Sequence, residues 1–271
     1  MANIYSVRKT VEKYDSARAL PPETLDLWID TLKNSLSIHQ IRSILDLGCG
    51  TGRFSYVLAE AFSCPVIALD PSLEMITEHK SKLSGNCQWL QGCAENIPIN
   101  TSSVDLVWMS QVFHHLDNNE KALREIHRIL TDGGYLAIRN GTKENDKENY
   151  WPQFFPEALE MIVNRIPLSA EILTQVMSAG YRLITHETIN QLFAPSFSDY
   201  YDKISMRALS PLISISDEEF NSGLIKFKQW VYSQPNNKPV YEKIDLFVFL
   251  EFCSNDFYFN DEMRLKLAGC I

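Results

Sequence analysis

Residues 44–54 have the sequence ILDLGCGTGRF, in which a short apolar run ends at an acid and leads into a glycine turn. Gly48, Gly50 and Gly52 allow the backbone to turn tightly and to approach a ligand closely. The third glycine comes one residue too early for the dinucleotide fingerprint G-x-G-x-x-G, because Arg53 stands where the fingerprint has glycine. The turn alone is therefore weak evidence for any one ligand.

Strand and helix patterns alternate on both sides of this turn, over residues 41–140. A helix with apolar residues at helical spacing is expected at 21–36, before the first strand. This alternation predicts right-handed crossovers and a doubly wound, parallel α/β sheet that is covered on both faces. Strands are predicted within 41–47, 65–70, 87–92, 104–109 and 135–140, and helices at 53–62, after Ser72, and at 118–130 with an end at Asp132-Gly133-Gly134.

The last half of the chain has a different organisation. Residues 170–194 have the pattern of a helix that ends near Gly180 and is followed by a long strand, and residues 243–251 have the pattern of another strand. The intervening residues 195–240 are predicted to form a helical insertion that acts as a lid. We expect a single domain over 1–271, with cap helices in 1–39 and a ligand-binding core in 40–145.

Composition narrows the class of protein. The chain has 271 residues and a formal net charge of −9, which opposes a polyanionic partner because nucleic-acid binders usually carry a basic face. Its longest strongly apolar stretch, LFVFL at 246–250, is too short to cross a bilayer, so we expect a cytoplasmic protein without membrane insertion. The six cysteines form no C-x-x-C pair and have no histidine at metal-ligand spacing, so we expect reduced thiols and no metal site.

Two acids beside the turn suggest what it binds. Asp70 ends the second predicted strand, close to the spacing of about 20 residues at which an acid accepts hydrogen bonds from a ribose. Asp46, at the end of the first strand, disfavours a pyrophosphate and suits a ligand with an ammonium or sulfonium group. The segment GCAENIP, residues 92–98, follows the third strand, where a loop can contact an adenine edge.

Five segments together resemble the class I S-adenosylmethionine-dependent methyltransferases, and among them the ubiquinone/menaquinone-biosynthesis-like group that acts on small molecules. They are ILDLGCGTG, IALDPS, GCAENIPI, VDLVWMSQVFHHL and LTDGGYLAI, in that order over about residues 40–140. The resemblance implies a seven-stranded, mostly parallel sheet whose sixth and seventh strands are antiparallel. It also implies S-adenosyl-L-methionine as the methyl donor, bound by Gly48, Gly50, Asp70 with Pro71, Ala94 with Glu95, and Asp46 with Ser110.

Two further segments bear on donor binding. YDSARALPPE, residues 14–23, is similar to the N-terminal segment of the family, which implies that Tyr14 and Arg18 fold over the donor and that Arg18 pairs with its carboxylate. The chain departs from the family at Cys93, where the family usually has an aspartate that accepts from the adenine amino group. A thiol is a weak acceptor, so adenine recognition here is expected to rely on backbone groups and apolar packing.

The acceptor is less well defined by the sequence. His114 and His115 are candidate general bases, although a histidine between Phe113 and Leu116 can equally be a packing residue. The absence of Asn/Asp-Pro-Pro-Tyr and Pro-Cys motifs, together with the acidic charge, favours a small, apolar or aromatic acceptor over a nucleic acid. The aromatic residues Tyr150, Trp151, Phe154 and Phe155 are a candidate wall of its pocket, or a seal between lid and sheet.

Two other functions remain open on the sequence alone. One is a donor-binding regulatory protein that does not methylate, and the other is a protein or RNA methyltransferase. The methylated atom and the oligomeric state are not defined by any motif.

Overall fold

A seven-stranded sheet lies at the centre of the described residues. Its strands are β1 Ile44–Leu47, β2 Val66–Asp70, β3 Cys87–Gln91, β4 Val104–Ser110, β5 Leu130–Asn140, β6 Tyr181–Ala194 and β7 Val240–Glu251. Their order in the sheet is β3-β2-β1-β4-β5-β7-β6. The computed structural model describes residues 18–36, 41–79, 86–146, 149–235 and 237–251. β1 to β5 are parallel, and β7 runs antiparallel between β5 and β6. The predicted doubly wound, mostly parallel sheet is confirmed.

Helices cover both faces of the sheet and fill the connection between β6 and β7. Those beside the sheet are α1 Pro22–Ser35, α2 Arg53–Phe62, α3 Leu73–His79, α4 Asn119–Ile129, α5 Lys143–Asp146, α6 Pro156–Arg165 and α7 Ser169–Ser178. The helical insertion contributes α8 Phe197–Ser205, α9 Ser210–Ser214 and α10 Asp217–Tyr232. None of the helices in the described ranges has the length and apolarity needed to span a bilayer.

The central strands are buried on both faces, as parallel strands between two helical layers must be. Leu45 and Val107 belong to one buried cluster. Ile44 and Trp108, which point to the opposite face, belong to another cluster that includes Trp28 of α1. The near-continuous apolar runs of β1 and β4 therefore serve two cores at once, and they fix the loops that follow the strands.

The junction between α4 and β5 differs from the prediction. The helix ends at Ile129, and Leu130 already pairs with Val104 of β4, so the expected helix end at Asp132-Gly133-Gly134 is wrong. The register between the two strands shifts after this pair, and Gly133 takes a φ of +72° there. The glycines thus serve an irregular start of β5 and not the end of a helix.

The insertion helices share an aromatic core with the segment after β5. Phe227 of α10 and Phe155 are completely buried in one cluster. α10 crosses this segment closely, because a Cβ at Gly223 would lie 2.5 Å from both the carbonyl oxygen of Phe154 and Cδ1 of Phe155. Most of the predicted aromatic wall therefore seals the insertion to the body of the protein.

Candidate active site

The turn after β1 lies at the point where the strand order reverses, between β1 and β4. In open α/β sheets, ligands bind in the crevice at this switch point, beyond the carboxyl ends of the strands. The amide groups of Gly48 and Cys49 both donate to the carbonyl oxygen of Leu69, at 2.7 and 3.0 Å. These bonds hold the turn against the end of β2.

The three glycines of the turn have different roles. All three have positive φ angles, +71° at Gly48, +54° at Gly50 and +75° at Gly52. A Cβ at Gly48 would lie 2.4 Å from Cγ2 of Val112, and one at Gly52 would lie 2.1 Å from Cη2 of Trp89, whereas nothing lies within 4 Å of the Cβ position of Gly50. Side chains thus occupy the space beside Gly48 and Gly52. The space beside Gly50 is open, so a ligand can approach the backbone closely there.

A large cavity of about 630 Å³ opens in front of this turn, and we call it the large cavity. It extends from the end of β2, across the loop after β3, to the loop after β4. Its lining brings together most of the residues that the sequence assigns to the donor: Gly48, Gly50, Asp70, Pro71, Ala94, Glu95 and Ser110.

Asp70 is held at the bottom of the large cavity by two backbone groups. Its Oδ2 accepts from the amide of Gly50 at 2.8 Å, and its Oδ1 accepts from the amide of Ser72 at 2.8 Å. Burial raises the pKa of Asp70, and the two hydrogen bonds counteract this effect. Since an ionised carboxylate has about four acceptor positions, Asp70 can still accept two hydrogen bonds from a ligand.

The loop after β3 forms another wall of the large cavity. Ala94 is buried there, and the thiol of Cys93 is exposed at the rim. Glu95 Oε1 accepts from the amides of Asp117 and Asn118 at 3.0 and 3.3 Å. The Glu95 side chain therefore ties this loop to the loop after β4, while its backbone borders the cavity.

A smaller space of about 60 Å³, which we call the inner cavity, adjoins the large cavity at Gly48, Gly50 and Ser110. Asp46 and Arg18 also line it, so the structure brings these predicted residues together. Asp46 Oδ2 accepts from Ser55 Oγ at 2.6 Å. Burial raises the pKa of Asp46 to about 7 against the effect of the Ser55 hydrogen bond, and Asp70 adds a smaller repulsion. Tyr14, the remaining predicted donor residue, lies outside the described residues.

A third space of about 80 Å³ lies under the helical insertion, and we call it the insertion cavity. His114 and His115 line it from the sheet side, Trp151 lines it from the segment after β5, and Leu209 lines it from the insertion. It adjoins the inner cavity at Arg18 and the large cavity at His115. The three cavities therefore meet around the end of β4.

The two histidines are neutral. Burial, followed by the proximity of His115, lowers the pKa of His114 to about 3, and burial lowers that of His115 to about 4. Asn140 Nδ2 donates to the carbonyl oxygen of Gly141 at 2.7 Å, which leaves its Oδ1 to accept from His114 Nδ1 at 3.2 Å. This network assigns the ring proton of His114 to Nδ1 and makes Nε2 an acceptor. Burial makes both rings weak bases at neutral pH.

Several residues at this junction escaped the sequence analysis. Gln111 lines all three cavities, has a φ of +61°, and accepts from the amide of Gly141 at 3.1 Å. Arg139 is buried beside the inner cavity and donates to Ser110 Oγ at 3.0 Å. Glu242 of β7 lines the inner and insertion cavities, and Asp146 of α5 lines the insertion cavity. No local motif marks these residues, because the order of the sheet brings them together.

Known methyltransferases resemble part of the chain in sequence. Residues 45–138 match the family model described as "Methyltransferase domain". The chain has the class I methyltransferase fold. An uncharacterised methyltransferase of Schizosaccharomyces pombe is 33% identical over 135 residues, which are 50% of this chain and 52% of that protein. The chain thus spans about half the length of the curated relatives that it matches.

Solved structures extend the methyltransferase fold over most of the chain. A protein of Anabaena variabilis, described as a methyltransferase from an antibiotic biosynthesis pathway, has a TM-score of 0.64 and 22% identity. The match covers 82% of this chain and 96% of that one. The [4+2]-cyclase SpnF has a TM-score of 0.61 and 16% identity, covering 88% of this chain and 84% of that one. Since these sequence identities are low, the structural likeness shows a shared fold alone.

Proposed function

We propose that the protein transfers a methyl group from S-adenosyl-L-methionine to a small molecule. The observation that carries this proposal is the open space at Gly50, which lies where the large and inner cavities meet and is bounded by the carboxylate of Asp70. A nucleoside fits the large cavity, with its ribose on the two free acceptor positions of Asp70. The backbone at Gly50 can contact such a ligand because no Cβ intervenes.

The remaining donor contacts follow from this orientation. Pro71, Ala94 and the backbone of Glu95 border the adenine in the large cavity. The methionine end occupies the inner cavity, where Arg18 faces its carboxylate and Asp46 and Ser110 face the amino and sulfonium end. This orientation matches the charges of the donor. The inner cavity has a cation and a carboxylate for the charged methionine end, and the large cavity has apolar and backbone groups for the adenine.

The acceptor enters from the insertion cavity. When bound, the donor supplies an electrophilic methyl group. The chain's own contribution is to align an acceptor atom with that group, and alignment alone can lower a barrier by about 7–11 kcal/mol. Trp151, Met161 and Ile162 give the cavity an apolar wall, so the acceptor has an apolar part. The insertion, residues 195–240, acts as the lid that encloses it, and the neutral His114 and His115 offer acceptor nitrogens to it.

A methyl-transfer assay with the full chain tests the proposal. The protein is incubated with methyl-labelled S-adenosyl-L-methionine and, separately, with small-molecule, RNA and protein fractions of a cell extract. We expect label to enter the small-molecule fraction, with stoichiometric S-adenosylhomocysteine, and to fall by about ten- to a hundredfold at limiting donor in an Asp70→Asn variant.

The other outcomes distinguish the alternatives. Label in the protein or RNA fraction alone contradicts the small-molecule proposal. Donor binding without label in any fraction favours a regulatory role or a different chemistry on the same fold.

A further inference from the structure

The insertion cavity contains two carboxylates that the proposed donor site does not use. Asp146 is the last residue of α5, and Glu242 lies in β7 close to its start. Both residues line this cavity, and Asp146, unlike Glu242, does not also border the inner cavity. The two acids therefore face the space that the acceptor occupies.

Asp146 is the less compensated of the two. Among the described residues, the one side chain that donates to it is Asn149, whose Nδ2 lies at a long 3.5 Å from Oδ1. Burial, and then repulsion from Glu242, raise the pKa of Asp146 to about 7, and the attraction of Arg18 does not offset them. Asp146 is partly buried, and the residue lines the insertion cavity.

Glu242 has more support. Its Oε2 accepts from Gln191 Nε2 at 3.2 Å. Burial raises the pKa of Glu242, and Arg18 is the first of the groups that lower it. Gln191 and Arg18 therefore both stabilise the charged form of Glu242.

The position of Asp146 is fixed by a buried network behind it. Asp245 accepts from Thr142 Oγ1 and from Asn145 Nδ2, each at 2.6 Å, and contacts His186 Nε2 at 3.0 Å. These bonds join the short helix α5, and Thr142 directly before it, to β7. Because Asp245 is already saturated with donors, its neighbour Asp146 is the carboxylate left for a ligand.

The other polar groups around Asp146 favour a hydrogen-bond donor. His114 presents an acceptor nitrogen, and His115 is neutral like His114. The two cations lie at the borders of the cavity, Arg18 toward the inner cavity and Arg165 toward the large cavity. An ammonium group supplies three donors and a positive charge, which would relieve the repulsion between two neighbouring carboxylates. A carboxylate ligand would add to that repulsion.

We propose that the insertion cavity binds the acceptor through a protonated primary or secondary amine held by Asp146 and Glu242, and that Asp146 takes a proton from this amine. The inference rests on the proposed methyl transfer and names its substrate class. The ammonium gives one proton to the Asp146 carboxylate, and the freed electron pair forms the new N–C bond. The C–S bond breaks, its electrons stay on sulfur, the positive charge moves to nitrogen, and Asp146 releases its proton to water.

Ligand binding to the full chain saturated with S-adenosylhomocysteine tests the inference without turnover. The probes are butylamine, butan-1-ol and butanoate, with benzylamine, benzyl alcohol and benzoate as a larger set, measured by saturation-transfer NMR and calorimetry. We expect the amines to bind better than their isosteres. Asp146→Asn should weaken amine binding by about tenfold or more, since hydrogen bonds to charged groups are the stronger ones.

The matched control is Glu144→Gln, which changes an exposed acid of the same helix and should leave amine binding unchanged. Failure of every amine to bind, or equal binding of amines and alcohols, overturns the inference. An unaltered amine affinity in Asp146→Asn also overturns it.

Turnover provides the second measurement. With S-adenosyl-L-methionine as donor, the amines that bind should be methylated on nitrogen, and Asp146→Asn should slow this by about a hundredfold or more at unchanged affinity for S-adenosylhomocysteine. Methylation of the alcohols instead contradicts the inference alone. Failure of wild-type protein to bind S-adenosylhomocysteine contradicts the proposed function itself.

Discussion

Asp70 shows how one carboxylate can serve the fold and a ligand at once. Each of its oxygens accepts one backbone amide, from Gly50 and from Ser72, so the side chain joins the turn after β1 to the start of α3. These bonds orient its remaining acceptor positions toward the large cavity. The two amides also counteract the rise in pKa that burial causes, because they stabilise the charged form of the carboxyl group.

Replacing Asp70 by asparagine should weaken donor binding by about ten- to a hundredfold, since one charge-assisted acceptor is lost. The measurement is a calorimetric titration with S-adenosylhomocysteine. Asp26→Asn, at an exposed position of α1, is the control and should bind like wild-type protein. An unchanged dissociation constant in Asp70→Asn would rule out the assignment of the ribose to this residue.

Asp46 should make the free energy of unfolding depend on pH. Burial raises its pKa from 3.8 to about 7. Between these two pH values, Asp46 is therefore protonated in the folded protein and ionised in the unfolded chain. Its contribution to stability is therefore fully present below pH 3.8 and is lost as the pH rises through about 7. Asp46→Asn is neutral at every pH and avoids this loss.

The stability difference between Asp46→Asn and wild-type protein should thus grow from pH 4 to pH 7, by as much as about 4 kcal/mol, and then level off. Urea unfolding without donor at several pH values measures it. Asp146, His114 and His115 also titrate with shifted pKa values but are the same in both proteins. A difference that is constant with pH would contradict the assigned state of Asp46.

At the scale of elements, the packing of the insertion against the segment after β5 defines the insertion cavity. α10 lies close to this segment at Gly223, and the aromatic side chains of Phe155 and Phe227 fill the space between them. The donor cavities, in contrast, are lined mostly by the turn after β1 and by residues at the ends of β2, β3 and β4 and in the loops after them. The two halves of the site can therefore be disturbed separately.

Gly223→Ala tests this separation, because its Cβ would overlap the backbone of Phe154 and push α10 outward. Methyl transfer should fall by about tenfold or more, as expected when reacting groups are misaligned, while affinity for S-adenosylhomocysteine stays the same. Ile225→Ala, at an exposed position of the same helix, should change neither quantity. A parallel loss of donor affinity in Gly223→Ala would show that the insertion also supports the donor site.

At the scale of the whole molecule, the sequence predicts what is encoded locally. The order of strands and helices follows from apolar periodicity, and Asp70 is identified because it ends a strand at a characteristic distance from the turn. The contacts of Trp89 with Gly52 and of Val112 with Gly48 could not be predicted, since these side chains come from other strands and loops. Asp146 and Glu242 were missed for the same reason, because they come together only when β7 pairs with β5 in the sheet.

The central claim is that the space at Gly50 receives the methyl donor. Titration of S-adenosylhomocysteine into wild-type protein, Gly50→Ala and Gly133→Ala tests it most directly. Both glycines have positive φ angles and open space at the Cβ position, but Gly133 is not among the residues that line the described cavities. The two substitutions should therefore cost similar backbone strain, about 1–2 kcal/mol. The account predicts one-to-one binding to wild-type protein and Gly133→Ala and severe loss in Gly50→Ala; equal binding to all three would contradict it.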